Sequence, residues 1–340
     1  MFSYRHAFHA GNHADVLKHT VLVAMVKHLI EKDAALTVID THAGAGLYRL
    51  DGDFADTSGE AAQGYLRLVA AAPPGHSILP HAAAGATAST EEKTAAGPMK
   101  PAPSATKKIA PSDPSELVSE TPAALQDYLD LVATFNAKDK HRVYPGSPFI
   151  IQRLLRPHDR LKLFEIHPTD IKTLAANIDQ LHAGRQVAVH REDGFEGLKK
   201  FLPPPARRSL VLCDPSYEIK SDYPRVTAMV TDAIKRFATG TYAVWYPLIP
   251  RPEAHDVPRK LKTLAVKNGK SWLNVALTVK SSKLSTDAQG EIVRPGLPAS
   301  GMFIINPPHT LKAALQTTLP FLAAHLAQDR HGSFVLESGG

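Results

Sequence analysis

Short apolar segments alternate with helical patterns along most of this chain, and that alternation constrains the fold more than any other feature. The segments rich in Val, Ile, Leu and aromatic residues, typical of buried strands, are 161–166, 186–190, 209–213, 241–246, 272–280 and 301–306. Helical patterns between them cover 171–181, 223–237 and 311–326. With an earlier strand at 36–39, this order predicts an α/β fold with a seven-stranded, mostly parallel sheet and helices on both faces.

The amino-terminal third is organised differently. Residues 15–31 show an amphipathic helix pattern, which Asn12 or Asp15 can cap. Residues 71–124 are rich in Ala, Pro, Ser, Thr and Gly, and such a composition buries too little apolar surface to offset chain entropy. We therefore predict a disordered or linker segment there, and a turn at 144–148 where the sheet pattern resumes.

These patterns divide the chain into four parts. Residues 1–50 hold an N-terminal motif and the first strand unit, and residues 51–145 form an inserted subdomain with helical character at 125–135. The remainder of the sheet domain covers 146–330, and 331–340 is predicted to be a tail.

Composition narrows the class of protein. The formal net charge of +6 favours an anionic partner such as nucleic acid. The single cysteine, Cys213, fits a reducing compartment, and its place in an apolar strand predicts core packing. We expect a cytoplasmic protein, because no apolar run has the length of a membrane span and the amino terminus lacks a signal-peptide pattern. His9 and His13 have helical spacing, but without an HExxH motif we predict no metal site.

Acidic residues follow consecutive strands at their carboxyl ends, where a doubly wound sheet binds ligands. The first strand runs into DTHAGAG, in which Gly44 and Gly46 let a ligand approach the backbone, and a helix start after this turn would favour a negative group. Glu165 ends the next strand and can accept both hydroxyls of a ribose, and Asp193 ends the third and can accept from an adenine amino group.

A dinucleotide-binding dehydrogenase would place glycines and an acid at similar points. Its fingerprint has a third glycine, with an acid about twenty residues further on. Here Gly46 is followed by Leu47-Tyr48-Arg49, and the next strand-end acid lies far downstream. The spacing therefore favours S-adenosyl-L-methionine over NAD as the cofactor.

The fourth strand ends in Asp214-Pro215-Ser216-Tyr217, which suits methylation of an exocyclic amine on a flat base. The lone pair of such an amine is delocalised into the ring, and a carboxylate and a backbone carbonyl that accept its two hydrogens restore its nucleophilic character. The ring of proline fixes the direction of its carbonyl, and an aromatic face stabilises the base by roughly 1–3 kcal/mol of stacking.

The chain resembles the bacterial 23S ribosomal RNA adenine-N6-methyltransferase family, whose members methylate a single adenine of 23S RNA. The matching segments run in the family's order and cover nearly the whole chain outside the low-complexity stretch. They are YRHAFHAGNHADVLKH, DTHAGAG, YPGSP, FEIHP, EDGF, DPSYE, RFATGTYAVWYP, and ASGM with IINPP one residue later. The first block is the most specific, because few other methyltransferases carry it.

The resemblance implies a Rossmann-like, S-adenosylmethionine-dependent methyltransferase and a role for each matching residue. Asp214 would be catalytic with the Pro215 carbonyl as its partner, Tyr217 would stack on the target adenine, and Tyr4 would lie near the substrate entrance. The residues implied at the cofactor are Lys18, His19 and His42 at its methionine end, Gly44, Ser147 and Asp214 in the lining, Glu165 at the ribose, and Asp193 and Gly194 at the adenine.

The chain departs from the family at Ser216, where the usual motif has a second proline. Because the accepting carbonyl belongs to Pro215, we expect activity to survive with a weaker hold on the adenine. A second tetrapeptide, Asn306 to His309, resembles an amine-methylation motif but follows the last predicted strand, so we interpret it as a strand terminator.

The predicted reaction is direct transfer of the methyl group to adenine N6, without a covalent enzyme intermediate. The target adenine must be unpaired or extruded, since N6 is engaged in a duplex. The alternatives are a DNA adenine-N6 methyltransferase and a non-catalytic RNA-binding protein with a decayed site. We expect a monomer that acts on 23S ribosomal RNA, free or in an assembling particle, without a metal or a membrane.

Overall fold

One mixed sheet organises the molecule. The computed structural model describes residues 8–51, 59–71, 120–137, 140–283, 285–286, 292–293 and 296–340. In these ranges the sheet has eight strands: β1 Thr37–Asp40, β4 Arg160–Phe164, β5 Val187–His190, β6 Ser209–Cys213, β7 Thr241–Pro247, β8 Trp272–Thr278, β11 Ala299–Ile305 and β12 Ser333–Gly339. Two short pairs lie outside it: β2 Leu47–Arg49 with β3 Val143–Pro145, and β9 Ser285–Thr286 with β10 Ile292–Val293.

The spatial order of the sheet is β12-β8-β11-β7-β6-β1-β4-β5. The five strands from β7 to β5 are parallel, whereas β11 runs antiparallel to β7 and β8, and β12 runs antiparallel to β8. The α/β class and the mostly parallel sheet are therefore confirmed, but the predicted count of seven strands is wrong.

The additional strand, β12, lies in the segment that the sequence predicted to be a tail. It pairs along its whole length with β8 at the edge of the sheet. Its alternate residues Phe334 and Leu336 pack against the core, while Val335 is 40% exposed. This period-two pattern is short and half-exposed, which is why the sequence showed it only weakly.

Eight helices accompany the strands in the described ranges. They are α1 His13–Ile30, α2 Tyr65–Ala71, α3 Ala123–Ala133, α4 Ser147–Leu154, α5 Asp170–Asp179, α6 Asp222–Arg236, α7 Pro252–Lys267 and α8 Leu311–Leu326. Shorter helical turns cover Glu60–Gln63, Gly184–Gln186, Gly194–Gly197 and Leu198–Phe201. Helices were expected between most strands, but no bounds were predicted for α2, α4 or α7. Pro148 made the start of α4 resemble a loop in the sequence, although proline fits the first turn of a helix. In α7, Pro258 lies inside the helix and interrupts its sequence pattern.

The inserted segment separates the first strand from its crossover helix. The helix start expected after Gly46 is wrong, because Leu47–Arg49 forms β2. Instead α4 begins at Ser147, and the Gly146 N–H donates to the Gly46 carbonyl at 2.7 Å, which places the start of α4 beside the β1 loop. The described parts of the insertion, α2 and α3, pack with α1 and α8 in one shared core. The predicted disordered segment lies almost wholly outside the described residues.

Helix α1 is buried on nearly all sides, so its predicted amphipathic character is wrong. Residues from His13 to Val23 are all buried, and α1 packs against α3, α4, α8 and the sheet. Such an all-round apolar helix belongs inside a core. The side chain of Asn12 caps it by accepting from the N–H groups of Ala14 and Asp15, both at 2.9 Å.

Two cores cover the two faces of the sheet. In β6, Leu210 and Leu212 face the core that contains α1, while Val211 and Cys213 face the core that contains α6 and α7. This is the alternation expected of a strand buried on both sides, and Cys213 is a core residue as predicted. None of the helices in the described part of the chain combines the length and apolar character needed to cross a bilayer.

Candidate functional site

A cavity of about 580 Å³ lies at the carboxyl ends of the parallel strands. Every described residue that the sequence predicted for the site lines it: Lys18, His19, His42, Gly44, Ser147, Glu165, Asp193, Gly194, Asp214, Pro215 and Tyr217. Tyr4, predicted at the substrate entrance, lies outside the described residues. The volume falls in the range usual for small-molecule sites, about 300–1,000 Å³.

Glu165 is held by the loop after β1. Its Oε2 accepts from the Gly44 N–H at 2.8 Å, and its Oε1 accepts from the His167 N–H at 2.6 Å. Burial raises the pKa of Glu165, and the two N–H groups oppose that rise. Each oxygen keeps a second lone pair, so the carboxylate can still accept two hydroxyl groups from a ligand. Gly44 has φ +61°, a conformation that glycine adopts without strain.

Asp193 and Gly194 form the next part of the wall. Asp193 Oδ1 accepts from the Phe195 N–H at 2.9 Å, and its Oδ2 lies 2.5 Å from Arg225 Nη2. The Arg225 guanidinium also lies 4.4 Å from the centre of the Phe195 ring. A Cβ at Gly194 would lie 1.9 Å from the Thr41 carbonyl oxygen, so only glycine fits there. The sequence did not indicate Arg225, since an arginine on a polar helix face carries no signal of its own.

Ser147 lines the cavity, and its side chain is held by the buried carboxylate of Asp40. The Ser147 hydroxyl donates to Asp40 Oδ2 at 2.7 Å, and the His42 N–H donates to Asp40 Oδ1 at 3.2 Å. Burial raises the pKa of Asp40 to about 6, with Asp214 adding to the rise. Asp40 was not predicted as a site residue, although it opens the DTHAGAG segment.

His42 is a neutral group in this cavity. Burial lowers its pKa to about 4. The Thr41 hydroxyl donates to the Leu212 carbonyl at 3.1 Å, so it accepts from His42 Nδ1 at 2.8 Å. We assign the proton of His42 to Nδ1 on this basis, which gives Nε2 the lone pair. The other predicted histidine, His19, has its Nδ1 2.8 Å from the Tyr144 hydroxyl.

A buried ion cluster links α1 to the DPSY loop. The Lys18 ammonium lies 2.5 Å from Asp214 Oδ2 and 2.8 Å from Asp15 Oδ1. Burial opposes the charge on Lys18, but Asp15 and Asp214 raise its pKa above the ordinary value, so it remains an ammonium. Asp15, which the sequence suggested only as a helix cap, is thus part of the cavity wall.

Aromatic side chains form the end of the cavity beside Asp214. Tyr217 has φ +54°, which is uncommon for a non-glycine residue, and its hydroxyl donates to the Trp245 carbonyl at 2.7 Å. Its ring centre lies 4.7 Å from that of Tyr223 and 5.9 Å from that of Trp245. All three side chains line the cavity, together with Pro215. A flat apolar group therefore fits at this end, within reach of the Asp214 carboxylate.

The second tetrapeptide lies elsewhere. Asn306 follows β11, whose antiparallel direction brings it beside the amino end of β7, where the Thr241 hydroxyl donates to its carbonyl at 3.0 Å. Its side-chain amide donates to the carbonyls of Ala238 and Gly240. Asn306 therefore terminates β11, as predicted, at the end of the sheet opposite the cavity. No group of three or more His, Cys, Asp or Glu side chains suited to a metal occurs among the described residues.

Comparison with known proteins agrees with this geometry. The model of the family described as "RsmJ: Ribosomal RNA large subunit methyltransferase D, RlmJ" matches residues 33–78 and 117–337. The chain belongs to this family. It is 36% identical to Ribosomal RNA large subunit methyltransferase J of Escherichia coli K12, covering 96% of this chain and 94% of the relative. It is 33% identical to the protein of that name from Haemophilus influenzae, covering 99% and 98%.

A solved structure extends the family likeness to the fold. A crystal structure of a protein from Legionella pneumophila strain Philadelphia 1 superimposes with a TM-score of 0.72 and 26% identity, covering 98% of this chain and 99% of that one. The likeness to that structure therefore spans both the parallel half of the sheet, which carries the cavity, and the antiparallel half.

Proposed function

We propose that the chain transfers a methyl group from S-adenosyl-L-methionine to N6 of an adenine in 23S ribosomal RNA. Membership in the RlmJ family makes the chain a ribosomal RNA methyltransferase. The observation that carries the finer proposal is that Asp214, Pro215 and Tyr217 line the same cavity as Glu165 and Asp193. One end of the cavity therefore suits a nucleoside cofactor, and the other suits a second flat base.

The lining fits this cofactor. Among the described residues, seven acidic side chains line the cavity against two basic ones, Lys18 and Arg225. Such a lining attracts a sulfonium cation and repels phosphate groups. In this proposal Glu165 accepts the ribose hydroxyls, and Gly194 allows the cofactor to approach closely beside Asp193. When bound, S-adenosyl-L-methionine supplies an electrophilic methyl group, so the chain itself needs only to bind, orient and shield the reacting groups.

Asp214 and Pro215 prepare the amine. Lys18 engages Asp214 Oδ2, and we assign Oδ1 to accept one hydrogen of the adenine amine. The Pro215 carbonyl accepts the other hydrogen. Both acceptors draw the lone pair of N6 out of the ring, and the carboxylate stabilises the positive charge that develops as the bond forms. In this arrangement Oδ1, which accepts one hydrogen of the amine, can also take the proton that N6 loses once the methyl group is bound.

Tyr217 holds the base. Its hydroxyl bond to Trp245 and the packing of Tyr223 fix the ring, so the base meets a rigid face rather than a mobile one. Because the acidic lining repels phosphate, only the base enters, and the target adenine must be unpaired or extruded from its stack. The remaining parts of the proposal are a cytoplasmic, monomeric enzyme that meets the RNA free or in an assembling particle.

The test is methyl transfer from labelled S-adenosyl-L-methionine to protein-free 23S RNA, with the product nucleoside identified. We expect N6-methyladenosine from the unmutated protein, and at least about a hundredfold less from Asp214→Ala and Asp214→Asn, because an oriented acid contributes on that scale. Duplex DNA as the better acceptor would favour the DNA methyltransferase. Cofactor binding without transfer to RNA or to ribosomal particles would favour the decayed RNA-binding protein.

A further inference from the structure

Asp15 is a buried carboxylate for which the proposed reaction has no use. It lies in the first turn of α1 and is 1% exposed. Its Oδ1 lies 2.8 Å from Lys18 Nζ, and its Oδ2 accepts from the Gly11 N–H at 2.9 Å. A buried carboxylate is costly unless it is paired, so a position of this kind is maintained by the interactions it makes.

Gly11, whose N–H donates to Asp15, is itself held in place by its neighbours. Gly11 has φ +77°, and its carbonyl accepts from the Tyr65 N–H at 2.8 Å. A Cβ at Gly64 would lie 2.2 Å from the Gly11 carbonyl oxygen, so the chain around residue 64 packs directly on this turn. Asp15 is therefore fixed from outside the cavity by the turn before α1 and by the start of α2.

Lys18, the second partner of Asp15, is shared with Asp214. Lys18 is 4% exposed, and its ammonium contacts the carboxylates of both Asp15 and Asp214. One ammonium thus serves two carboxylates. If one were neutralised, the other would attract the ammonium alone, since in a buried site the attraction between opposite charges is strong.

We propose that Asp15 is a positioning residue, which holds the Lys18 ammonium away from Asp214 Oδ1 and so leaves that oxygen to the substrate amine. This inference rests on the proposed role of Asp214. Without the Asp15 charge, the ammonium moves onto both oxygens of Asp214 and competes with the amine for Oδ1. The expected consequence is slower methyl transfer with little change in binding.

Asp15→Asn tests this with a minimal change of shape. The amide oxygen must face the Gly11 N–H, so the NH2 group faces Lys18 and, as a second donor, pushes the ammonium towards Asp214. We expect kcat to fall by about 10- to 100-fold, the scale of a misplaced catalytic group, while the KM for RNA stays within about threefold. A kcat within threefold of the unmutated value, or a loss confined to KM, overturns the proposal.

Asp159→Asn is the matched control. Asp159 is also a buried aspartate three residues from a basic side chain, Arg156, but it lies at the opposite edge of the sheet, outside the cavity lining. We expect this variant to lose stability and to keep its kcat per folded molecule. An equal loss of kcat in both variants would mean that any buried aspartate has this effect, and the proposal would be wrong.

Two further measurements separate positioning from general damage. In a Lys18→Gln background, Asp15→Asn should change kcat by less than about twofold, since Asp15 acts through Lys18 and the two effects are not additive. A crystal structure of Asp15→Asn should show the ammonium contacting both oxygens of Asp214. An ammonium that stays in place overturns the inference about Asp15 even if the protein methylates adenine. If the ammonium moves in Asp15→Asn but the unmutated protein makes no N6-methyladenosine, the proposed function is overturned instead.

Discussion

Two buried aspartates mark the two ends of helix α1, and they are built in opposite ways. The helix is about 27 Å long, from 18 residues at 1.5 Å each. At its carboxyl end, Asp159 accepts four hydrogen bonds: from the Leu36 N–H, the Arg156 N–H, and two guanidinium nitrogens of Arg156. The Arg156 side chain also donates to the carbonyls of Ile30 and Lys32. This closed pair uses every lone pair of its carboxylate within the protein.

At the amino end of α1 one ammonium is shared between two carboxylates. One ammonium, Lys18, serves Asp15 and Asp214, while Asp40 lies nearby with its pKa raised to about 6. At the carboxyl end of α1, the closed end, an aspartate and an arginine tie the helix to the sheet. At the amino end, the open end, two aspartates and a lysine line the cavity and can contact a ligand. We expect substitutions at the closed end to change the free energy of unfolding, and substitutions at the open end to change binding or turnover.

The largest effect on stability is expected from Asp159→Asn. The amide cannot accept four hydrogen bonds, and it leaves the guanidinium of Arg156, whose side chain is 22% exposed, partly unpaired. Breaking one partner of a fully buried ion pair costs about 3–5 kcal/mol, so for this pair we expect a loss of about 3 kcal/mol in the free energy of unfolding from denaturant titration. Methyl transfer per folded molecule should stay unchanged. If the loss of stability is below about 1 kcal/mol, the closed end is not the fixed anchor that its geometry indicates.

Asp40→Asn should give the opposite sign at neutral pH. The folded-state pKa of Asp40, about 6, lies above its ordinary value of 3.8, because burial disfavours the charged form. Its contribution to stability is therefore present below pH 3.8 and is lost as the pH rises through 6. The shift of about two pKa units corresponds to about 3 kcal/mol, so the variant should gain that much relative to the unmutated protein between pH 4 and pH 7.

Asp159 supplies the contrasting pH dependence. Burial opposes its charge, but Arg156 and two backbone N–H groups lower its pKa below the ordinary value. Its stabilisation is therefore present above pH 3.8 and is lost as the pH falls further. Thermal melting of both variants beside the unmutated protein, at about pH 2.5, 4, 5 and 7.5 without cofactor, checks the two signs together. Parallel curves for Asp40→Asn and the unmutated protein would show that Asp40 is not protonated in the folded state.

Much of the sheet was visible in the sequence, but the Asp159–Arg156 pair was not predicted. Strand β6 and helix α8 have the predicted bounds, because the apolar pattern of each segment and the polar residues that flank it indicate the same ends. Helix α4 was missed, since the insertion separates it from the strand that it follows in space. Strand β12 was missed because only alternate side chains of an edge strand face the core.

The open end was visible in the sequence to the extent that sheet topology determines it. Glu165, Asp193 and Asp214 follow parallel strands, so their convergence at one edge follows from the fold class. Contacts between distant segments could not be predicted in this way. Lys18 meets Asp214 across 196 positions of sequence, and Arg225 meets Asp193 from a helix whose surface gives no sign of it. Burial of Asp15 is equally invisible, because its spacing from Lys18 is that of any surface pair.

A smaller effect is expected from Tyr217→Ala, and it should appear in RNA binding. Loss of a stacking face costs roughly 1–3 kcal/mol per base, which is about a 5- to 150-fold rise in the KM for RNA. The affinity for S-adenosyl-L-methionine should change little. Tyr217→Phe is the control: it removes the hydroxyl bond to Trp245 but keeps the ring, so the KM for RNA should stay near the unmutated value. Equal effects of the two variants would mean that the hydroxyl, and not the ring, matters.

An effect of similar size is expected from Glu165→Gln, measured as cofactor affinity by calorimetric titration. The amide keeps one oxygen, so one of the N–H groups of Gly44 and His167 loses its acceptor, and the ribose loses a charged one. A hydrogen bond to a charged group contributes about 1.5–3 kcal/mol, so we expect affinity to fall at least about tenfold. Because the raised pKa of Glu165 shows that its charge is costly when buried, the unfolding free energy should fall far less than in Asp159→Asn. A loss of stability equal to that of Asp159→Asn, with unchanged cofactor affinity, would make Glu165 a second anchor and remove the distinction between the two ends of α1.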